Sequence, residues 1–302
     1  MQKNNNGKGT GRNLLITIIL NVGITVAQII GGLMAGSMAL ITDAVHNFSD
    51  VLSLIISYVA ARISGRKQTL RQTYGFKRAG IFAAFINTAT LLVIGGILIW
   101  EAITRLIDPH PVDGMIVIYL AGVGILFNGF SVLLIRKDAV GNMNMRSAYL
   151  HMFMDMMTSV AVMAGGFGIK YLGWFWLDGV LTIGISVYLI YSSWGLFYES
   201  VRIFMQFTPS KIDIKEMASE ITSIQGVKNL HHVHVWQLDD KELMMEGHID
   251  LDGDYTISHF EKILKNVEEI LERYHIHHFN IQPELEREDQ KELINNEEAL
   301  KK

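Results

Sequence analysis

The 302-residue chain contains no cysteine. That excludes a disulfide framework, a thiolate metal site and a CxxC redox motif. Any metal must therefore bind through nitrogen and oxygen. Proline is almost as scarce, with four residues, at 109, 111, 209 and 283. None falls inside a long apolar run, so nothing interrupts a helix there. No H-E-x-x-H pattern occurs, which removes the usual helix of a zinc protease. Acidic residues are sparse before Thr208, with 9 against 15 basic ones, and abundant after it, with 21 against 11. The balance swings from +6 to −10 between the two parts, so they belong to different surroundings and form separate domains.

What the first part does contain is long apolar sequence. A membrane span takes about 20 mostly apolar residues. Six segments qualify: 13–35, 37–63, 79–103, 112–135, 147–171 and 176–198. The run starting at Leu14 is too long for a signal-peptide core and reads as the first span. Short connections make three antiparallel helical hairpins. Their loop charges orient them, because Lys and Arg concentrate on the cytoplasmic side. After the second span come Arg62, Arg66, Lys67, Arg71, Lys77 and Arg78; after the fourth come Arg136, Lys137 and Arg146. The opposite side carries Gly36, Arg105, the Asp108–His110–Asp113 loop and Lys170. Both termini and the acidic part are therefore expected in the cytoplasm. The expected organisation is a polar N-terminus over 1–12, an all-α six-helix transmembrane domain over 13–208, a small α/β domain over 209–285 and a charged, fraying tail over 286–302.

An ionisable side chain at mid-membrane costs about 2.5–3.5 kcal/mol on the insertion scale. Two spans nevertheless carry them in one repeated spacing. The second has His46 and Asp50, the fifth His151 and Asp155. An i, i+4 pair lies one turn apart on one helical face. Two imidazoles and two carboxylates from two helices suit tetrahedral zinc. A polar interhelix contact is the bland alternative, and the repetition of the spacing favours a metal site. Asp43, one turn before His46, is a candidate to orient that imidazole. Asp178, Glu101 and Glu199 lie at span ends and read as caps or interface charges. Asn47, Asn87 and Asn128 are candidates for hydrogen bonds between helices.

After Pro209 the pattern becomes α-β-β-α-β. Helices are expected over 213–224 and 257–274, a hairpin over 227–238 and 242–251, and a last strand over 277–282. Eight of the eleven histidines fall here: His231, His232, His234, His248, His259, His275, His277 and His278. Strand alternation puts His232 and His234 on one face and His231 on the other. The preferred metal set is His231, His248, His277 and Glu284.

Four stretches carry a resemblance to a known family: Gly36-Ser-Met-Ala-Leu-Ile-Thr-Asp-Ala-Val-His46-Asn-Phe-Ser-Asp50, Tyr74-Gly-Phe-Lys-Arg78-Ala, His151-x-x-x-Asp155 and His234-Val-Trp-Gln-Leu238. Over residues 14–284 the chain resembles the cation diffusion facilitator family, in its zinc-transporting branch. The resemblance implies six helices and a cytoplasmic metallochaperone-like domain, in a homodimer that exchanges divalent metal for protons. It implies a transport site of His46, Asp50, His151 and Asp155, and a cytoplasmic site of His231 and His248 with His277 and Glu284. Zinc is then substrate and regulatory ligand, with cadmium or cobalt as related cargo, and no prosthetic group or nucleic acid is involved. The chain departs from the family in three places. Ser64–Thr73 holds neither Asp nor His, so no loop metal site is assigned there. Arg136–Arg146 holds no His, which removes a metal-concentrating loop. Arg202–Thr208 holds no acid to form, with a basic residue near Arg78, the inter-subunit lock of some members. The short loops point to a bacterial plasma membrane. Rival readings are a membrane-anchored metal sensor, a metal channel without proton coupling, and an intramembrane metalloenzyme. The last is disfavoured because four protein ligands leave no position for water. The acidic domain also suggests regulation, since a bridging metal would offset repulsion between two −10 protomers.

Overall fold

The computed structural model describes residues 6–64, 67–136, 143–239, 242–285, 287 and 290–294. Six long helices come first: α1 (Asn6–Ala35), α2 (Met38–Ser64), α3 (Ala79–Ile107), α4 (Gly114–Ile135), α5 (Met143–Leu172) and α6 (Trp176–Phe204). α1, α3, α5 and α6 extend the expected spans by up to about two turns, because polar end residues continue a helix already nucleated by its apolar middle, while α2 and α4 fall within two residues of theirs. Among the described residues, four helices are long and apolar enough to cross a membrane, namely Ala79–Ile107, Gly114–Leu134, Tyr149–Leu172 and Trp176–Phe204; α1 contributes a shorter apolar stretch, Asn21–Ala35. Of the charges used for orientation, Arg66 and Lys137 lie outside the described residues.

Two compact units divide the described chain, one of residues 1–59 and 83–197, the other of residues 60–82 and 198–302. The first is organised for lipid. Leu33, Val93, Trp100, Leu126 and Tyr191 are exposed, while Gln28, Thr42, Asp43, Asn47, Ser159 and Thr182 are buried. Apolar outside and polar inside is what a bilayer solvent requires, since helices already satisfy their own backbone there. Small residues let α4 and α5 approach closely. A Cβ on Gly114 would meet the Gly166 carbonyl oxygen at 2.8 Å, and one on Gly124 would meet Ser159 Oγ at 2.9 Å.

The turn between α1 and α2 uses Gly36 in the left-handed region, φ 68°, where a side chain would be strained. Ser37 follows, and the first turn of α2 is capped from another helix. Asp178 of α6 accepts from Ser37 Oγ at 2.5 Å, Met38 N at 2.8 Å and Ala39 N at 3.3 Å. Arg105 Nη1 donates to the Gly36 carbonyl at 2.5 Å and lies 3.9 Å from Asp178 Oδ2. The expectation that Asp178 caps a helix holds, but the helix is α2 and not its own. Asp113 caps α4 locally, accepting from Met115 N at 2.9 Å.

The second unit contains α7 (Ile214–Thr222), β1 (Val227–Gln237), β2 (Leu243–Leu251), α8 (Ile257–Arg273) and β3 (His278–Glu284). This is the expected α-β-β-α-β order. Asp213 caps α7, accepting from Lys215 N at 2.8 Å. The sheet order is β1-β2-β3, with β1 antiparallel and β3 parallel to β2. A parallel return needs a crossover, which α8 supplies. Met217, Ile221, Met245, Ile249, Val267, Leu271 and Ile276 fill the core beneath.

One finding here corrects the sequence reading. Residues 291–293, expected to fray, lie along β1: the His232 and Val233 amides donate to the carbonyls of Glu292 and Leu293 at 3.2 and 2.9 Å. Within the unit, Glu242, just before β2, pairs with Lys77. Beside it, Arg78 Nε donates to the Leu238 carbonyl at 3.3 Å.

Candidate metal centres

The repeated spacing in α2 and α5 does bring its four residues together. His46 Nε2 lies 3.4 Å from Asp155 Oδ1 and 4.0 Å from Asp50 Oδ2; His151 Nε2 lies 3.0 Å from Asp50 Oδ2 and 3.7 Å from Asp155 Oδ2. Zinc with ligands near 2.05 Å requires tetrahedral edges of roughly 3.4 Å. The observed separations bracket that value. The two imidazoles meet edge to face, 5.8 Å between centroids. His46 Nε2, Asp50 Oδ2 and both Asp155 oxygens are buried atoms without a hydrogen bond of good geometry among the described residues. A buried carboxylate left unpaired is costly; a cation held among these atoms removes that cost.

One turn beyond lies a second buried layer. Gln28 Nε2 donates to Asp43 Oδ2 at 2.7 Å, Ser159 Oγ reaches the same oxygen at 3.5 Å, and Asn47 Nδ2 donates to Gln28 Oε1 at 3.1 Å. Asp43 is thus tied to Gln28 and Ser159, and no hydrogen bond joins it to His46 among the described residues. Gln28 and Ser159 were missed in the sequence. The signal for Ser159 was its place at i+4 from Asp155 on the same face; a lone glutamine in α1 offered none. Of the other candidates, Asn87 contacts Ser49 at 3.5 Å and Glu101 pairs with Arg105 at 3.1 Å.

The sheet builds the second cluster. His231 of β1 and His248 of β2 are opposed in register, and Asp250 of β2 is paired with Glu284 of β3. His231 Nε2 lies 3.3 Å from Glu284 Oε2, His231 Nδ1 lies 3.5 Å from Asp250 Oδ2, and His248 Nδ1 lies 2.9 Å from Glu284 Oε1. His231, His248 and Glu284 offer ligand atoms that all fall within 4.8 Å of one another, as do the four of α2 and α5. His277 does not join them. It precedes β3, whose first residue pairs with Met244, while Glu284 ends the strand. Seven strand residues span about 20 Å, so one site cannot take both. The position next to the cluster is held instead by Asp250. Its signal was in the sequence, two residues after His248 on the same strand face.

Alternation also fails at His232. A bulge between His231 and His234 shifts the register, and His232 takes φ 52°. Its ring stacks on His248 at 4.9 Å as well as meeting His234 at 5.2 Å. An extra residue in a strand re-aims side chains in this way.

Comparison with known proteins bears on both parts of the chain. The cation efflux transmembrane domain matches residues 14–205, and the cation efflux protein cytoplasmic domain matches residues 209–286. Among similar proteins, "Zinc transporter ZitB" of Pectobacterium atrosepticum is 35% identical over 93% of this chain and 88% of its own. The "Cadmium, cobalt and zinc/H(+)-K(+) antiporter" of Bacillus subtilis is 33% identical over 95% and 93%. The "Cation efflux system protein CzcD" of an Alcaligenes species is 28% identical over 92% and 87%. Long apolar helices, a four-residue cluster between α2 and α5 and an α-β-β-α-β domain all agree with these matches, and the chain is an integral membrane protein of the cation efflux family, the cation diffusion facilitators.

Proposed function

We propose that the protein is a secondary transporter that exports zinc from the cytoplasm in exchange for protons, with cadmium and cobalt as further cargo. One observation carries this reading: the two-histidine, two-carboxylate cluster of His46, Asp50, His151 and Asp155 between two helices. The relatives' names supply zinc and protons. All six long helices span the membrane in this reading, with both termini in the cytoplasm of a bacterium and the membrane its plasma membrane. A homodimer is the working form, in keeping with the matched cytoplasmic domain.

The ligand set explains the exchange. Imidazole binds metal only when neutral and carboxylate only when ionised, so metal and proton compete for the same atoms. The reference pKa of histidine is about 6.5, within reach of modest pH differences across a membrane. Zinc arriving from the cytoplasm displaces protons from the four side chains. Rocking of the helices exposes the loaded cluster to the far side, as in other alternating-access carriers. Protons there reoccupy the ligands and release the metal. The cluster of His231, His248 and Glu284 serves regulation: a metal bound there neutralises part of the acidic domain and favours packing of two protomers. His277 takes no part.

The test uses liposomes holding a zinc-sensitive dye and a pH dye, with an imposed pH gradient. Zinc flux coupled to counter-moving protons is expected from the wild type, and its loss from Asp50→Ala and Asp155→Ala. Zinc flux indifferent to the gradient would instead indicate a channel. No flux, with zinc still bound, would indicate a sensor.

A further inference from the structure

The second cluster already holds cations, and they are part of the chain. Lys291 Nζ donates to Asp250 Oδ1 at 2.7 Å and to Glu284 Oε2 at 3.2 Å. Arg287 Nη1 donates to Glu284 Oε1 at 3.1 Å. Glu284 Oε2 is the oxygen that faces His231 Nε2 at 3.3 Å. The Glu284 side chain is 2% exposed, and that of Lys291 is 34% exposed. A buried carboxylate therefore has its charge compensated by an ammonium that enters from the surface.

The ammonium is held in place by its backbone. The bulge in β1 turns the His232 and Val233 amides away from β2, and they bind the Glu292 and Leu293 carbonyls. Asn229 Nδ2 donates to the Lys291 carbonyl at 3.2 Å. Leu293 packs on the core of the domain. The backbone of Lys291 is thus fixed beside Glu284, and only the side chain is ordered in making its ion pairs.

We infer that Lys291 is a tethered competitor for divalent metal at the His231–His248–Glu284 site and sets the zinc concentration at which that site fills. The inference rests on the reading of this cluster as a metal site. A zinc ion bound to Glu284 would bring a second positive charge beside the ammonium, on a carboxylate oxygen that already accepts from it. Entry of the metal expels Lys291 from Glu284, so this site exchanges metal for a side-chain cation.

The experiment uses the full-length chain in detergent with Asp50→Ala and Asp155→Ala, so that calorimetric zinc titration reports the second site. Lys291→Gln removes the charge and leaves all backbone bonds in place, with a side chain one atom shorter. It is expected to bind zinc about fivefold more tightly, the equivalent of a modest ion pair. Lys291→Arg is expected to match the parent. Equal affinities for Lys291→Gln and the parent, at a site abolished by His231→Ala, would overturn the role of Lys291 alone. Zinc binding unchanged by His231→Ala would remove the site itself, and the inference with it.

Discussion

The two clusters use the same ligand chemistry in opposite settings. In α2 and α5, two imidazoles and two carboxylates face one another with no lysine or arginine in contact among the described residues. In the sheet, two imidazoles and a carboxylate share their site with Lys291 and Arg287. The first can lower its charge only by taking up protons or metal, which suits a group that must load and unload. The second is neutralised by its own chain, which suits a group that responds only above a threshold. Neighbours, more than ligands, separate a carrier site from a regulatory one.

The sharpest way to break this comparison is to remove one histidine from each cluster. His46→Ala is expected to lower zinc affinity at the intramembrane site by more than about 100-fold and to abolish flux, since even outer-shell changes cost 10–100-fold. His231→Ala is expected to remove the other bound zinc and leave flux measurable. Stoichiometry by calorimetry and flux in liposomes distinguish the two; loss of flux in both variants would make the clusters a single functional unit.

Packing offers a second contrast. Gly124→Ala puts a methyl 2.9 Å from Ser159 Oγ and 3.4 Å from Gln28 Nε2, within the buried polar layer. Overpacking of this kind costs about 1–3 kcal/mol, read as a lower unfolding temperature and weaker transport. Gly247→Ala, beside His248, meets nothing nearer than 3.5 Å. It is expected to change stability by less than about 0.5 kcal/mol. Equal effects would mean that the helical unit repacks as freely as the sheet.

The smallest effect expected concerns acid stability of the second unit. The Tyr274 hydroxyl, 2.9 Å from Glu220, and the paired Arg273 hold the Glu220 carboxyl below its ordinary range. A carboxylate depressed on folding adds stability above its unfolded pKa and loses it as pH falls through the folded value. Tyr274→Phe should therefore lower the unfolding temperature at neutral pH by about 1 °C, with the difference from wild type vanishing in acid. A difference that persists at low pH would assign the loss to packing of the ring.

Much of this was legible in the chain. Apolar runs over 20 residues leave few alternatives, and the H-x-x-x-D repeat located the candidate cluster of α2 and α5 because helical spacing is rigid and the repeat occurs twice. The small domain was readable for the same reason, period two giving way to a helical period at Ile257. What escaped was non-local. The preferred set and the resemblance place His277 with Glu284, although a strand sets its two ends about 20 Å apart. His232 was assigned by an alternation that one bulge suspends. Asp250 carries a local signal, two residues after His248 on one strand face, but Lys291 meets Glu284 only through the path of the tail, which no local pattern encodes. Glu242 meets Lys77 by the same kind of long-range meeting.

The carboxylate of Asp178 has a consequence for biogenesis. The first amides of α2 bond to a residue 139–140 positions downstream, and the first turn of a helix cannot satisfy its own N–H groups. In the proposed reading, in which all six helices span the membrane, α2 is made long before α6, and its first turn lacks this cap until α6 is in place. A chain cut short before Asp178 is then expected to carry His46 and Asp50 on a helix whose leading amides are left to water.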